Sequence, residues 1–444
     1  MSVLSSDGKT WLTKLDRIGK LSADNHDLVF NNLGHLIHVD MLKELYRELD
    51  GKKACGIDKM TKIDYGKCLD ENINKLIIRI RRGTYKPKPA RITEIPKEDG
   101  SFRPLAISCF EDKLVQLAVN KILCKIYEPI FLPCSYGFRP GKNCHDALRK
   151  LNKATFRNWD GAIIEIDIQK CFNEIPHQEM MEFLQRKISD RRLLRLIEVL
   201  MKTPIIQGEN VTINTRGCPQ GAIISPVISN IYLHYVIDEW FESIKKTHIE
   251  RRAELIRFAD DMVFAFQNAV EAKRFYEALP KRLNKYGLKM HLGKSQIIPA
   301  GHTVACRAEA ENKRLSTFKF LGFTCYFGKS RSGYWRLKFT SRRDRFSGKL
   351  KSMNIFLKKN LNTKDANAIL DTVGKGVRGW VNYHNISDNE RRVDHFIFLS
   401  KRLIWRWFNR RGGKKRTTWT RCVEILETIN FPKKGKVISM YQTC

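Results

Sequence analysis

No Cys-x-x-Cys pair occurs anywhere in the 444 residues, although twelve cysteines are scattered from Cys55 to Cys444. That argues against zinc ribbons and against a zinc-supported nuclease module. Nothing resembles a disulfide framework in a chain this size, so a reducing cytoplasm is the expected compartment. There is no apolar run of about 18 residues, no basic amphipathic anchor and no lipidation signal to favour a membrane. The opening Met1-Ser-Val-Leu-Ser-Ser-Asp-Gly-Lys-Thr10 has neither an apolar h-region nor an Arg-rich amphipathic pattern, so no secretion or import signal is read there. Internal repeats and low-complexity tracts are also missing. Acidic residues are scarce: 47 Asp and Glu face 81 Lys and Arg, a net charge of +34. Between Asp394 and Glu424 there is no acidic residue at all. Solubility needs far less charge than this, so a polyanion is the expected partner, with nucleic acid the first candidate.

What is present describes a multidomain globular chain. Hydrophobic residues make up 42%, which excludes disorder. The length predicts two to four domains. Residues 1 to about 85 read as mostly helical, with Leu36, Ile37, Met41, Leu42 and Leu45 as one apolar stripe. Gly51 to Asp58 reads as a loop, and Thr84 to Pro89 opens an extended region. Arg91 to Pro96 alternates like a strand and turns at Glu98-Asp99-Gly100. Val115, Ala118, Val119, Ile122 and Ile126 form a helical stripe that Pro129 stops. Phe318 to Phe323 and Tyr334 to Phe339 read as short strands. From about Ser341 the chain is helical and basic.

The chemistry concentrates in carboxylates. Arg257-Phe-Ala-Asp-Asp-Met-Val-Phe264 sets Asp260 and Asp261 between two apolar runs of strand length, the pattern of a tight hairpin with charge at its tip. Adjacent carboxylates repel, and the usual reason to keep them together is a divalent cation. A solvated acidic turn is the competing reading of the pair alone. Asp167 has a similar setting, at the end of the strand-like run from Gly161 to Ile168. Three carboxylates holding two Mg²⁺ ions make a site for in-line phosphoryl transfer.

Further motifs fall in a fixed order around these residues. Ile95-Pro-Lys97 precedes Phe102-Arg-Pro-Leu105, and Ser135-Tyr-Gly-Phe-Arg-Pro-Gly141 follows. Next come Glu165-Ile-Asp-Ile-Gln-Lys-Cys-Phe172, Gly217-Cys-Pro-Gln-Gly-Ala-Ile-Ile-Ser-Pro226 and Asn230-Ile-Tyr-Leu233. The Phe-Ala-Asp-Asp run, Gly287-Leu288 to Lys294, Phe320-Leu-Gly-Phe323 and Arg378-Gly-Trp-Val-Asn-Tyr-His384 complete the series. The series resembles the reverse transcriptases encoded by bacterial group II introns, the intron maturases, over about residues 30 to 440.

The resemblance implies an α+β right-hand polymerase: fingers, a palm built on an antiparallel sheet, a helical thumb and a small basic C-terminal domain. Residues 1–305 would be fingers and palm, 306–390 the thumb and 391–444 the RNA- and DNA-binding end. Asp167, Asp260 and Asp261 would hold two Mg²⁺, with Asp261 the more dispensable. Lys97 and Arg103 would grip the triphosphate of the incoming dNTP, and Gln220 would contact the nascent base pair. Phe172 would pack under the sugar and exclude a 2′-hydroxyl. Lys294 would stand near the pyrophosphate leaving group, and Phe320 to Phe323 would match the primer-gripping hairpin. Arg410, Arg411, Lys414, Lys415 and Arg416 would meet nucleic-acid phosphate. RNA template and primer, the intron RNA and a DNA target are the partners implied, in a bacterial cytoplasm. The family's optional endonuclease domain is expected to be absent.

From the residues alone, each of these also has a plainer reading. Lys97, Arg103 and Lys294 could be surface charge, and Phe172 a core side chain. The tryptophans from Trp380 onward could be the core of a basic helical bundle, a reading expected of Trp380. Two positions depart from the family pattern: Phe258 precedes the Asp pair where Tyr is commoner, and Asn173 replaces a common Asp. Neither is one of the three carboxylates. Three alternatives stay open: a splicing-only maturase, a relative recruited to host defence or DNA repair, and an RNA-templated RNA polymerase.

Overall fold

The computed structural model describes residues 10–96, 102–156, 159–208, 210–362, 365–411 and 416–441. Among the described residues it is an α+β chain with three sheets. The strands are β1 (Ala90–Pro96), β2 (Phe102–Ile107), β3 (Asp160–Ile166), β4 (Ile205–Gln207), β5 (Asn210–Thr212) and β6 (Ala253–Phe258). Then follow β7 (Asp261–Phe266), β8 (Gln296–Gly301), β9 (Phe318–Phe320), β10 (Phe323–Lys329) and β11 (Trp335–Ser341). Two sheets have four strands, in the orders β2-β1-β4-β5 and β6-β7-β3-β8, and the third has the order β11-β10-β9. The first is mixed: β1 and β2 are antiparallel, while β4 joins β1 in parallel.

The chain divides into two compact units. One comprises Met1–Asn143, Ile166–Met262 and Lys273–Gln296. Its central helix, Phe110–Tyr127, has no exposed residue, although Glu111, Asp112, Lys113, Gln116, Asn120, Lys121 and Lys125 stand among its apolar positions. Val115, Ala118, Val119, Ile122 and Ile126 are all fully buried there, as their spacing predicts. The stripe from Leu36 to Leu45 is buried throughout, but only Met41, Leu42 and Leu45 are α-helical. Leu36 ends a short 3₁₀ turn and Ile37 is extended, because His38 must leave helical geometry to start the helix Val39–Glu48. Arg91 to Pro96 forms a strand as expected. The turn expected at Glu98 to Gly100 lies outside the described residues, and so does Lys97.

The other unit comprises Cys144–Glu165, Val263–Ala272 and Ile297–Cys444. In it β10 and β11 pair from Phe323↔Ser341 to Lys329↔Trp335. Phe323, Cys325 and Phe327 alternate inward with Leu337 and Phe339, the two-residue period of a strand with one buried face. Phe318 to Phe323 is not one strand. Leu321 and Gly322 both take positive φ and pair Phe320 with Phe323, a two-residue hairpin turn. The helices Arg343–Asn360, Ala366–His384, Glu390–Arg411 and Trp419–Thr428 contribute to one apolar cluster. Trp380 is buried within it and stacks on Phe396 at 3.8 Å, so the expectation of a core role holds. Among the described residues no helix is long and apolar enough to cross a membrane.

Candidate active site

Asp167, Asp260 and Asp261 all lie in the first unit, and the Asp167 and Asp260 charges act on one another there. β3 delivers Asp167 just past its last residue. The segment 289–295 locks it there: the Asp167 N–H donates to Ser295 Oγ (3.1 Å) and its carbonyl accepts from the His291 N–H (2.8 Å). Ile168 also bridges Met290, and the Gln169 N–H donates to the Lys289 carbonyl at 2.9 Å. This clamp carries Lys294, whose Nζ lies 3.6 Å from Asp167 Oδ2 with both side chains substantially exposed. Such a pair adds little to stability, so its interest is positional.

Asp260 occupies a two-residue connection between β6 and β7. The preceding Ala259 has φ +56°, a left-handed conformation costly to any residue with a Cβ. Two neighbours hold it. Gly137 packs so closely that a Cβ there would stand 2.4 Å from the Ala259 nitrogen. Arg257 Nη1 donates to the Ala259 carbonyl at 3.2 Å.

Arg257 is fully buried and paired with fully buried Asp238, Nε to Oδ1 at 2.8 Å and Nη2 to Oδ2 at 2.5 Å. Its Nη1 also reaches Asn230 Oδ1 at 3.0 Å, and Asn230 Nδ2 donates to the Gly137 carbonyl at 2.7 Å. Asp238 ends a π-helical turn, His234–Asp238, inserted after the helix Ser225–Leu233. Three sequence motifs therefore converge on one guanidinium: Ser135 to Gly141, Asn230 to Leu233 and the Arg257 run. The motif order exposed these segments, but the Arg257–Asp238 pair is a tertiary fact. Its one sequence signal is a cation inside the apolar strand β6.

Burial raises the Asp260 carboxyl above the ordinary carboxylate range, and the Asp167 charge adds to that rise. Hydrogen bonding at its own backbone opposes it, as do Arg103 and Arg257. Asp167, Asp260 and Arg103 are thus electrostatic neighbours. Asp261, the first residue of β7, is exposed. Among the described residues no group of three His, Cys, Asp or Glu side chains is gathered tightly enough to hold an ion. Asp167 and Asp260, two mutually repelling oxygen donors, fit the chemistry of a hard divalent cation.

The Gly217 to Gly221 loop joins this centre to the β1–β2 pair. Gly217 (φ +72°) lies against Asn173, where a Cβ would come within 2.5 Å of backbone, and Cys218 N–H donates to the Phe172 carbonyl at 2.8 Å. On the other side the Ala106 N–H of β2 donates to the Gln220 carbonyl at 2.6 Å. Gly221 (φ +108°) leaves no room for a Cβ beside Leu105 and the Ala106 carbonyl. The close approach that these glycines permit is to the chain's own backbone. Buried Gln116, which sequence reasoning passed over, fixes the loop by accepting the Ile223 N–H at 2.9 Å. Gln220 is half-buried, Arg103 is exposed on β2, and Phe172 is half-buried on the single turn Cys171–Glu174.

The basic tail residues belong to the second unit. Arg410 is exposed with its guanidinium 4.9 Å from the Trp407 ring, and Arg416 is exposed. Lys414, Lys415 and the Arg411 side chain lie outside the described residues.

Residues 95–325, more than half of the chain, match the family described as reverse transcriptase (RNA-dependent DNA polymerase), and the chain belongs to that family. It is 36% identical over 230 residues to the group II intron-encoded protein LtrA of Lactococcus lactis, covering 51% of this chain and 38% of that protein. It is 37% identical over 249 residues to a 91 kDa protein in the cob intron of Schizosaccharomyces pombe, covering 54% and 30%. With protein YkfC of Escherichia coli the identity is 34% over 187 residues, covering 41% and 49%. The matched region spans under half the length of each of these relatives. The resemblance to group II intron-encoded proteins, read from the motif order, is borne out.

Proposed function

We propose that this chain is an RNA-directed DNA polymerase that copies an RNA template into cDNA and assists the splicing of a group II intron. Its parts would be fingers and palm (1–305), thumb (306–390) and a basic nucleic-acid-binding end (391–444). The observation that carries the reading is the convergence of Asp167 and Asp260, with Arg103 and Lys294 beside them, inside the region of the family match. Asp167 and Asp260 would hold two Mg²⁺, with Asp261 assisting. When bound, such ions neutralise the attacking and leaving oxygens of an in-line displacement. Lys97 and Arg103 would bind the triphosphate, as cations pair with phosphate oxygens; of the two, Arg103 is the one that acts on Asp260 in the structure. Lys294 would offer a proton or a charge to departing pyrophosphate. The test is extension of a DNA primer on an RNA template with dNTPs and Mg²⁺. Absence of product under conditions where the protein is folded and binds the duplex would sink the reading.

Sugar choice gives a sharper test. Phe172 hangs one turn beyond Asp167, and its carbonyl is tied to the Gly217 to Gly221 loop. A ring held there can fill the space of a 2′-hydroxyl. Phe172→Val and Phe172→Ala should raise rNTP incorporation relative to dNTP by about tenfold or more, the scale of a filled versus an empty apolar site. An unchanged ratio in active enzyme would leave Phe172 as a core residue only.

The maturase half of the proposal rests on the acid-free stretch from His395 to Val423, with its interleaved tryptophans. Trp405 and Trp407 are both tied down, Trp405 Nε1 to the Thr417 carbonyl at 2.8 Å and Trp407 Nε1 to Asn354 Oδ1 at 2.7 Å. They brace a platform whose cations would meet phosphate. Neutralising Arg410, Arg411, Lys414, Lys415 and Arg416 together should weaken binding to structured RNA. It should also flatten the salt dependence by nearly one unit of slope for each phosphate no longer neutralised. Extension on a simple pre-annealed template should fall only mildly, and assisted splicing much further. Unchanged affinity and slope would make the tail a solvated helical face.

A further inference from the structure

In the first unit, five arginines surround one concavity that shares no residue with the carboxylate site. Arg81, Arg82, Arg191, Arg192 and Arg195 line a cavity of about 260 Å³, with Ile80, Leu196 and Val199 as its apolar part and no acidic side chain in its wall. All five are exposed. The nearby carboxylates are spoken for. Glu111 pairs with Arg79 at 2.6 Å, and Glu198 with Lys202 at 2.6 Å. Asp190, next in sequence to Arg191, spends both oxygens on backbone. Oδ2 accepts from Leu33 (2.6 Å) and Gly34 (2.7 Å), and Oδ1 from Arg192 (2.9 Å) and Leu193 (3.1 Å). Among the described residues none of the five guanidinia makes an ion pair.

Local preference does not account for this arrangement. Arg81 and Arg82 end the helix Leu69–Arg81, where cations suit the helix dipole. Arg191 and Arg192 instead open the helix Arg191–Met201, whose first turn has no acidic residue, at the end where the dipole disfavours cations. Two helices thus aim like charge into a shared hollow. Gly83 (φ +68°) turns the chain directly after the first of them, and a Cβ there would stand 3.5 Å from Arg195 Nη1. Every cation in the wall is an arginine, and none is a lysine; the planar guanidinium fork matches pairs of phosphate oxygens.

We propose that this arginine hollow is a binding site for the phosphodiester backbone of folded RNA, separate from the site that extends the primer. The inference deepens the proposed function, since it names a second place where the partner RNA is held. The two are nevertheless tested by different measurements. The hollow would take one or two phosphates of a helical arm bidentately, over the apolar floor of Ile80, Leu196 and Val199.

The experiment uses the full chain carrying Arg82→Gln, Arg191→Gln, Arg192→Gln and Arg195→Gln. It measures equilibrium binding of a self-folded hairpin RNA, without primer or nucleotides, across a salt series. The expected result is affinity at least about tenfold weaker near 0.1 M salt and a slope shallower by about one to two units, one for each phosphate no longer held. Extension of a saturating pre-annealed primer on a short template should be unchanged. Arg191→Glu alone, at an exposed position, should move affinity and slope in the same direction, so that a folding defect of the fourfold variant does not end the test. Tripolyphosphate in excess separates the sources: it should compete only at high concentration if the site is built for a backbone. Unchanged hairpin affinity and slope would overturn the proposal. So would lost extension with intact hairpin binding, or equal competition by low tripolyphosphate, which would make the hollow part of the nucleotide path or a small-anion site. A wild-type chain that binds the hairpin but extends no primer would sink the polymerase reading and leave this result readable.

Discussion

Asp260→Asn is expected to abolish primer extension on an RNA template while RNA affinity stays near wild type. The substitution keeps the shape of the side chain and removes its charge. In the folded protein that charge is partly buried and repelled by Asp167. Asp167, with only the exposed Asp261 to assist, would then have to hold the cations. The loss should reach three orders of magnitude or more in rate, about 4 kcal/mol of transition-state stabilisation. Single-turnover extension beside a filter-binding measurement separates the two effects. Wild-type extension by the variant would remove Asp260 from the site. The same substitution at Asp261 should cost less, since that side chain begins β7 at an exposed position.

Removing Asp238 should be as damaging by a different route. Its carboxylate takes two of the guanidinium's donors, and both side chains are fully buried. Asp238→Ala leaves the Arg257 charge uncompensated where water cannot reach it. Breaking a buried pair in this way costs about 3–5 kcal/mol. Denaturant unfolding, followed by the fluorescence of Trp240 in the same unit, should register the loss. The double change Asp238→Leu with Arg257→Leu should recover much of the stability, because an apolar pair of similar bulk needs no desolvation. Extension should stay impaired in that double variant, because the Ala259 carbonyl loses its guanidinium donor and the left-handed turn before Asp260 loses its anchor. A double variant that is stable and fully active would reduce Arg257 and Asp238 to packing. A single variant within about 1 kcal/mol of wild type would contradict the buried-pair argument itself.

Much of the site could be read without coordinates. Asp167 stands at the end of a strand and Asp260 in the β6–β7 connection, because alternation and apolar runs are local signals that a sheet has to respect. The supports of the site were not legible. Ser295 reaches Asp167 across 128 residues and Asn230 reaches Arg257 across 27. No periodicity carries such pairings. The Gly217 to Gly221 loop was legible as a loop, but not in what its glycines approach, since positive φ at Gly217 and Gly221 brings the backbone against Asn173 and Leu105.

By itself the sequence determined the family and the order of its motifs, and it set the expectation of phosphoryl-transfer chemistry and a polyanionic partner, because these depend on residue identity, net charge and local pattern. Only the tertiary structure decided which residues act on one another. It paired Asp167 with Lys294 and Ser295, suspended the turn before Asp260 from a buried Arg257–Asp238 pair, and turned five arginines from two separate helices into one hollow. The physical reason is common to all three. A buried charge needs a partner, an exposed one does not, and which of the two an arginine becomes is set by the surroundings that folding gives it.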